Sequence, residues 1–291
     1  ATVLVPILVQ GYGLPLSIQT TLFFAGIGTL FFHICTRLKV PAFLGSSFAY
    51  LGGFAAVAAL NSGKYAAMDG AEKLQYACGG IVVAGLLYVI LAVIIKLVGV
   101  KRVMRFLPPV VTGPIIILIG LNLAPSAVTN ASSCWWLAIL SIAVIVVANI
   151  WGKGMIKIIP ILLGVVIPYV VAVIANACGA TALDSAGNVV PLMDFTSVAA
   201  SAPVGLQPFF TDFTGSVAKF DVTSILVMAP IAIAAMMEHI GDISAISATV
   251  GKPFIQDPGL HRTLIGDGLA TSLAGLFGGP ANNTYGANTG V

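Results

Sequence analysis

The chain has 291 residues, 58% of them hydrophobic and 8% charged, with a net charge of +3 and a mean hydropathy of +1.05. Soluble domains carry about 25% charged residues, so water could not keep this chain dispersed. A soluble nucleic-acid-binding protein is excluded with it, because basic residues are scarce, 13 in 291.

A helix crosses a hydrocarbon core of about 30 Å with about 20 apolar residues. Residues 1–9 form an apolar stump without the basic n-region of a signal peptide, and read as the inside of a helix that starts upstream. Apolar blocks long enough to cross follow over 16–36, 76–99, 134–151, 156–176 and 223–246, with shorter ones over 108–124 and 262–278. The ten-residue alternation of a membrane barrel is not seen, so the expected class is an all-α polytopic membrane protein. Many glycines and prolines lie inside the blocks, where glycine lets helices approach and neighbouring helices tolerate proline. The four cysteines (Cys35, Cys78, Cys134, Cys178) stand far apart with no CxxC, which leaves metal and redox chemistry without support.

Two segments interrupt the pattern. Residues 41–53 set Ser46-Ser47-Phe48 between proline and glycine, and Gly278-Gly279-Pro280-Ala281-Asn282-Asn283-Thr284-Tyr285-Gly286 has the same character. Each follows, at a similar distance, a span containing Gly-x-Gly: Gly26-Ile27-Gly28 in one case, Gly266-Asp267-Gly268 in the other. Paired interrupted segments of this kind point to an inverted repeat and to a substrate site at the membrane midplane. Residues 177–222, rich in Gly, Ser, Thr, Asp and Pro, read as an extended connection between two structural units.

Charge orients the spans. Arg37, Lys39, Lys96, Lys101, Arg102, Arg105, Lys153, Lys157, Lys252 and Arg262 occupy every second connection. The intervening connections hold only Lys64, Lys73 and Lys219, beside Asp69, Glu72, Asp184, Asp194, Asp212 and Asp221. The positive-inside rule places the first set in the cytoplasm. By the same alternation, the two Gly-x-Gly spans cross in opposite directions.

Three acids remain inside apolar spans: Glu238, Asp242 and Asp267. An acid at the bilayer centre costs about 2.5–3.5 kcal/mol on insertion scales, and such residues usually face a polar cavity. Glu238 and Asp242 are four apart, so they share one helical face. Two carboxylates so close cannot comfortably both ionise in a low dielectric, so at least one is expected to be protonated near neutral pH, poised to exchange a proton as a proton-coupled carrier requires. His239 is turned about 100° from Glu238, which leaves open whether it joins the coupling or packs against a neighbour. Asp267 is expected to support the site by hydrogen bonding across helices.

The motifs Glu238-His239-Ile240-Gly241-Asp242, Asp257-Pro258-Gly259-Leu260-His261-Arg262-Thr263-Leu264, Gly278-Gly279-Pro280 and Asn283-Thr284-Tyr285-Gly286, with Pro41 to Ala49, resemble those of the nucleobase–ascorbate transporter (nucleobase:cation symporter) family. Within it, the match is to the bacterial uracil permeases, and it spans the whole chain. The resemblance implies fourteen spans in two inverted seven-helix repeats, split into core and gate domains, with a short strand in spans three and ten. Residues 1–107 would then be core spans one to four, 108–222 part of the gate with the long outer loop, and 223–291 core spans eight, nine and the start of ten.

It further implies that Glu238 holds the base, that backbone groups of Phe48 and Gly286 complete the cradle, and that the Phe48 and Tyr285 rings pack near it. Asp242 falls at a proton-coupling position, with Ser47, Asp267 and Asn288 in support. One departure stands out: Ala287 occupies a position where this family usually has glutamate or glutamine, so a recognition group is missing and weak uracil binding is expected. The implied activity is proton-driven import of uracil across a bacterial inner membrane by alternating access. No cofactor is expected beyond the proton as coupling ion. The expected partners are a nucleobase and membrane lipid; the oligomeric state is left open, with a homodimer among the alternatives. A purine or xanthine carrier of the same family is the nearest rival. An anion carrier of the same fold is disfavoured by the acidic site, and a membrane-embedded enzyme by the lack of any catalytic motif.

Overall fold

Capping residues decide where the apolar blocks begin as helices. A computed structural model describes residues 2–106, 109–183, 188–195 and 217–285. Helix α1 (Leu4–Gly11) precedes α2 (Ile18–Cys35), where the Ser17 side chain accepts from the Thr20 N–H at 3.3 Å and satisfies one of the first-turn donors. Strand β1 (Leu44–Ser46) follows, then a 3-10 turn over Phe48–Tyr50 and helix α3 (Leu51–Ala58). Helix α4 (Gly70–Val98) starts six residues before the apolar block over 76–99. Asp69 caps it, accepting from the Glu72 N–H at 2.8 Å, so the polar turn joins the helix.

Next come α5 (Val100–Phe106), α6 (Pro109–Ser132), α7 (Trp135–Trp151), the single turn α8 (Met155–Ile158) and α9 (Pro160–Ala177). Helix α6 outruns the block expected over 108–124, because its polar end satisfies itself. The Thr129 hydroxyl donates to the Pro125 carbonyl at 3.0 Å and the Ser132 hydroxyl to the Thr129 carbonyl at 2.7 Å.

The connection expected over 177–222 contains an antiparallel pair, β2 (Thr181–Leu183) with β3 (Val189–Pro191), Thr181 opposite Pro191. β-branched Thr181, Val189 and Val190 suit that local pairing, which the polar composition hid. The block over 223–246 is two helices, α10 (Val222–Met228) and α11 (Ile231–Val250), because Pro230 has no N–H to continue the first. A π-turn over Ile255–Gly259, helix α12 (Leu260–Leu276) and strand β4 (Asn282–Thr284) complete the described chain.

Five segments are long and apolar enough to cross a membrane: Ile18–Cys35, Gly70–Val98, Gly113–Ser132, Pro160–Ala177 and Val222–Val250. Trp135–Trp151 is an apolar helix of 17 residues. Large apolar side chains such as Leu30, Ile34, Leu97, Ile139 and Leu226 are exposed, as a lipid-facing surface requires.

The chain divides into two compact units, one from the described residues of Ala1–Ile119 and Gly205–Thr289, the other from those of Gly120–Val204. In the second, α7 packs on α9, where the Ser141 hydroxyl donates to the Gly164 carbonyl at 2.5 Å. In the first, α12 is central and packs on α4 and α2. Small residues make this contact: a Cβ on Gly85 would stand 2.5 Å from the Gly268 carbonyl oxygen, and one on Gly268 2.6 Å from the Gly85 oxygen. On the α2 side, a Cβ on Gly266 would meet the Phe32 ring at 3.0 Å. Asp267, between these two glycines, is therefore held fully buried.

Ion pairs agree with the charge pattern. Lys39 Nζ meets Asp257 Oδ2 at 2.6 Å, both in connections that the arginine and lysine bias puts in the cytoplasm. On the other side, Lys64 pairs with Asp221 at 2.6 Å and Lys219 with Glu72 at 3.5 Å.

Candidate functional site

The two interrupted segments meet inside the first unit. β1 and β4 pair antiparallel, with Leu44 opposite Thr284, Gly45 opposite Asn283 and Ser46 opposite Asn282, all six buried. The Ser47 N–H extends the pairing by donating to the Ala281 carbonyl at 2.8 Å. Gly45 is required here, since a side chain at this position would run into the Tyr285 ring. The Tyr285 hydroxyl donates to the Ser46 carbonyl and tethers the ring across the strands. Asn282 anchors β4 from behind, its Nδ2 donating to the Phe24 carbonyl at 3.1 Å, while the Thr271 hydroxyl donates to the Asn282 carbonyl at 2.7 Å.

Helix α11 brings its acids to this strand. Asn283 Nδ2 donates to Glu238 Oε2 at 2.9 Å, and the Thr284 hydroxyl donates to Asp242 Oδ2 at 3.3 Å. The same Thr284 oxygen lies 3.2 Å from His239 Nδ1. Because a hydroxyl that donates to Asp242 can still accept, the consistent arrangement runs from His239 N–H to Thr284 O–H to the Asp242 carboxylate. His239 Nδ1 also lies 2.9 Å from Asp267 Oδ2, close enough for an ion pair but without the alignment of a hydrogen bond. His239 and Asp267 are both fully buried, and Phe32 packs edge-on against the imidazole.

The residues singled out from sequence fall into four groups. Glu238, half-buried, is held at β4 by Asn283, and the half-buried Phe48 and buried Tyr285 rings are tilted with centroids 6.3 Å apart. Asp242, His239 and Asp267 form a buried chain, Asp242 and His239 joined through Thr284. The Ser47 side chain is buried and its hydroxyl has no partner among the described residues. Gly286, Ala287 and Asn288 lie outside the described residues. Sequence reasoning missed Asn283 and Thr284, the two polar side chains that join β4 to α11; the signal available was that they are polar residues within an interrupted, otherwise buried segment. Among the described residues, no group of three or more His, Cys, Asp or Glu side chains is arranged to hold a metal ion.

Fold and site together define a multi-pass helical membrane protein with a polar site built between two broken segments and an acid-bearing helix. The family model Xan_ur_permease, described as the permease family, matches residues 1–291, and the chain belongs to that family, one of membrane permeases and not of enzymes. Over 300 residues it is 38% identical to a uracil permease of Bacillus caldolyticus, covering all of this chain and 62% of that protein. A uracil permease of Bacillus subtilis is 36% identical over 304 residues, covering 100% of the chain and 63% of the relative. A uracil permease of Escherichia coli strain K12 is 32% identical over 302 residues, with 100% and 62% covered. The chain thus spans less than two thirds of the length of these relatives. Its place is a bacterial inner membrane.

Proposed function

We propose that this chain carries the substrate site of a proton-coupled nucleobase importer with uracil as its substrate. The observation that supports the reading most is the convergence of Glu238, Phe48 and Tyr285 at the β1–β4 pair. A planar base offers N–H and C=O edges and a flat face. A carboxylate accepts the N–H, backbone N–H groups freed by the interrupted segments donate to the carbonyls, and an aromatic ring packs on the face. In this reading Glu238 binds the base, with Phe48 and Tyr285 beside it and the backbone of Phe48 and Gly286 completing the cradle. The names of the relatives favour uracil over other bases.

Proton coupling is assigned to Glu238 and Asp242, with His239 linked to Asp242 through Thr284 and Asp267 supporting His239 from α12. Proton uptake on the outer side and release on the inner side would accompany alternating access. Core residues 1–107 and 223–291 would move against gate residues 108–222, within a larger inverted-repeat fold. Ser47 and Asn288 are assigned a supporting part at the substrate site.

Uptake of labelled uracil by cells expressing the full-length protein tests the reading, at an acid and a neutral external pH, with Ala287 and with Ala287→Glu. Uptake that rises at acid pH and strengthens with glutamate supports it. Uptake of xanthine with no competition from uracil would move the substrate to the purines, as Ala287 leaves open. Absence of base uptake in every arm would overturn the proposal.

A further inference from the structure

Resting on the nucleobase reading above, the geometry points to Asn283 as a positioning residue that commits one oxygen of Glu238 to the protein and reserves the other for ligand and proton. The orientation of the Asn283 amide is fixed by a neighbour that can only donate. The Thr284 backbone N–H stands 3.0 Å from one amide atom, which must therefore be the acceptor Oδ1. The other arm is then Nδ2, and it donates to Glu238 Oε2 at 2.9 Å. Asn283 is buried and sits opposite Gly45 in the β1–β4 register.

A donor aimed at Oε2 favours the carbonyl form of that oxygen and disfavours a proton there, because the hydroxyl oxygen of a carboxylic acid is the weaker acceptor. A proton that Glu238 takes up, and a ligand N–H that it accepts, are thereby directed to Oε1. Among the described residues Oε1 has no hydrogen-bond partner, and Glu238 is only half-buried. Proton uptake and ligand recognition thereby converge on one oxygen atom, and Asn283 is the group that makes them converge. Ionised, Oε1 accepts a ligand N–H; protonated, it offers a donor in place of an acceptor, so a single proton changes which edge of the ligand fits.

Two variants of nearly the same shape test this in the full-length protein: Asn283→Leu, which has no donor, and Asn283→Asp, which can donate only when protonated. Uracil affinity and uptake kinetics are measured for each at an acid and an alkaline pH. Asn283→Leu is expected to weaken uracil binding about tenfold at both, the loss of one charge-assisted hydrogen bond, with KM moving more than the maximal rate. Asn283→Asp should stay near the parent at acid pH and lose binding at alkaline pH, where two carboxylates at the Asn283–Glu238 spacing repel. Parent-like affinity in Asn283→Leu, or equal loss in both variants at both pH values, would overturn the assignment. Should Asn283→Leu not fold, the pH split in Asn283→Asp decides alone, with its melting curve read at each pH. If the parent binds no uracil, the nucleobase reading is at fault. The Glu238 carboxyl infrared band, identified with Glu238→Gln, then decides: it must differ between parent and Asn283→Leu, and an unchanged band overturns the positioning role.

Discussion

The Thr284 hydroxyl donates to Asp242 Oδ2 at 3.3 Å while its oxygen lies 3.2 Å from His239 Nδ1, so one side chain of β4 joins two ionisable groups of α11. All three are buried. Thr284→Val keeps the shape and removes the hydroxyl, leaving Asp242 and His239 without that partner. The expected loss of stability is about 1–3 kcal/mol, read as a lower melting temperature in detergent. Thr284→Ser, which retains the hydroxyl, should recover most of it, and equal melting of Val and Ser variants would contradict the link.

The α4–α12 contact should tolerate no added methyl group. Gly85→Ala would put a Cβ 2.5 Å from the Gly268 carbonyl oxygen, a backbone atom that cannot rotate away. Overpacking of this kind costs about 1–3 kcal/mol. Gly26→Ala, where a Cβ meets nothing within 4 Å, is the matched control. A melting curve for each distinguishes them; parity between the two would mean that the helices do not approach as closely as described.

On the outer side, Asp221 caps α10, accepting from the Thr223 N–H at 3.1 Å, and pairs with Lys64. The hydrogen bond from Lys64, with that from the Tyr65 hydroxyl, holds the Asp221 carboxyl at about 2, below its ordinary value of 3.8. A depressed carboxylate pKa contributes stability that is present above the unfolded value and lost as pH falls through the folded one. Asp221→Asn keeps the cap and removes the charge. Its small deficit in melting temperature at neutral pH should shrink as pH falls from about 4 to about 2. A deficit that persists unchanged at the acid end would assign the effect to shape and not to charge.

Much of the fold was legible because a membrane protein writes its spans in hydropathy and its orientation in lysine and arginine. The blocks at 16–36 and 156–176 lie within about two residues of α2 and the α8–α9 segment at their clearest ends. The Lys39–Asp257 and Lys64–Asp221 pairs join residues that charge alone had put on the same side. What hydropathy could not show was decided by local hydrogen bonds. Asp69 carried α4 back into a polar turn, Thr129 and Ser132 carried α6 forward, and Pro230 divided α10 from α11.

The site was legible in its acids, since carboxylates in apolar spans are conspicuous. Its strand was not. Asn283 and Thr284 matter because β4 lies against α11, and nothing in the spacing of residues 238–242 and 282–284 reveals that contact. His239 could be assigned no direction from the helical wheel alone. In the structure it turns away from Glu238 towards Asp267 and Phe32, into the packing between helices.

The most direct test of the central claim is uracil affinity of the full-length protein with Glu238 and with Glu238→Gln, measured at the same pH with the fold verified for both. Glutamine keeps the size and a carbonyl acceptor but loses the charge, and hydrogen bonds to a charged group contribute about 1.5–3 kcal/mol. Uracil binding in the parent and a loss of at least about tenfold in Glu238→Gln is the expected result. Equal affinity in the two proteins would contradict a nucleobase site at Glu238.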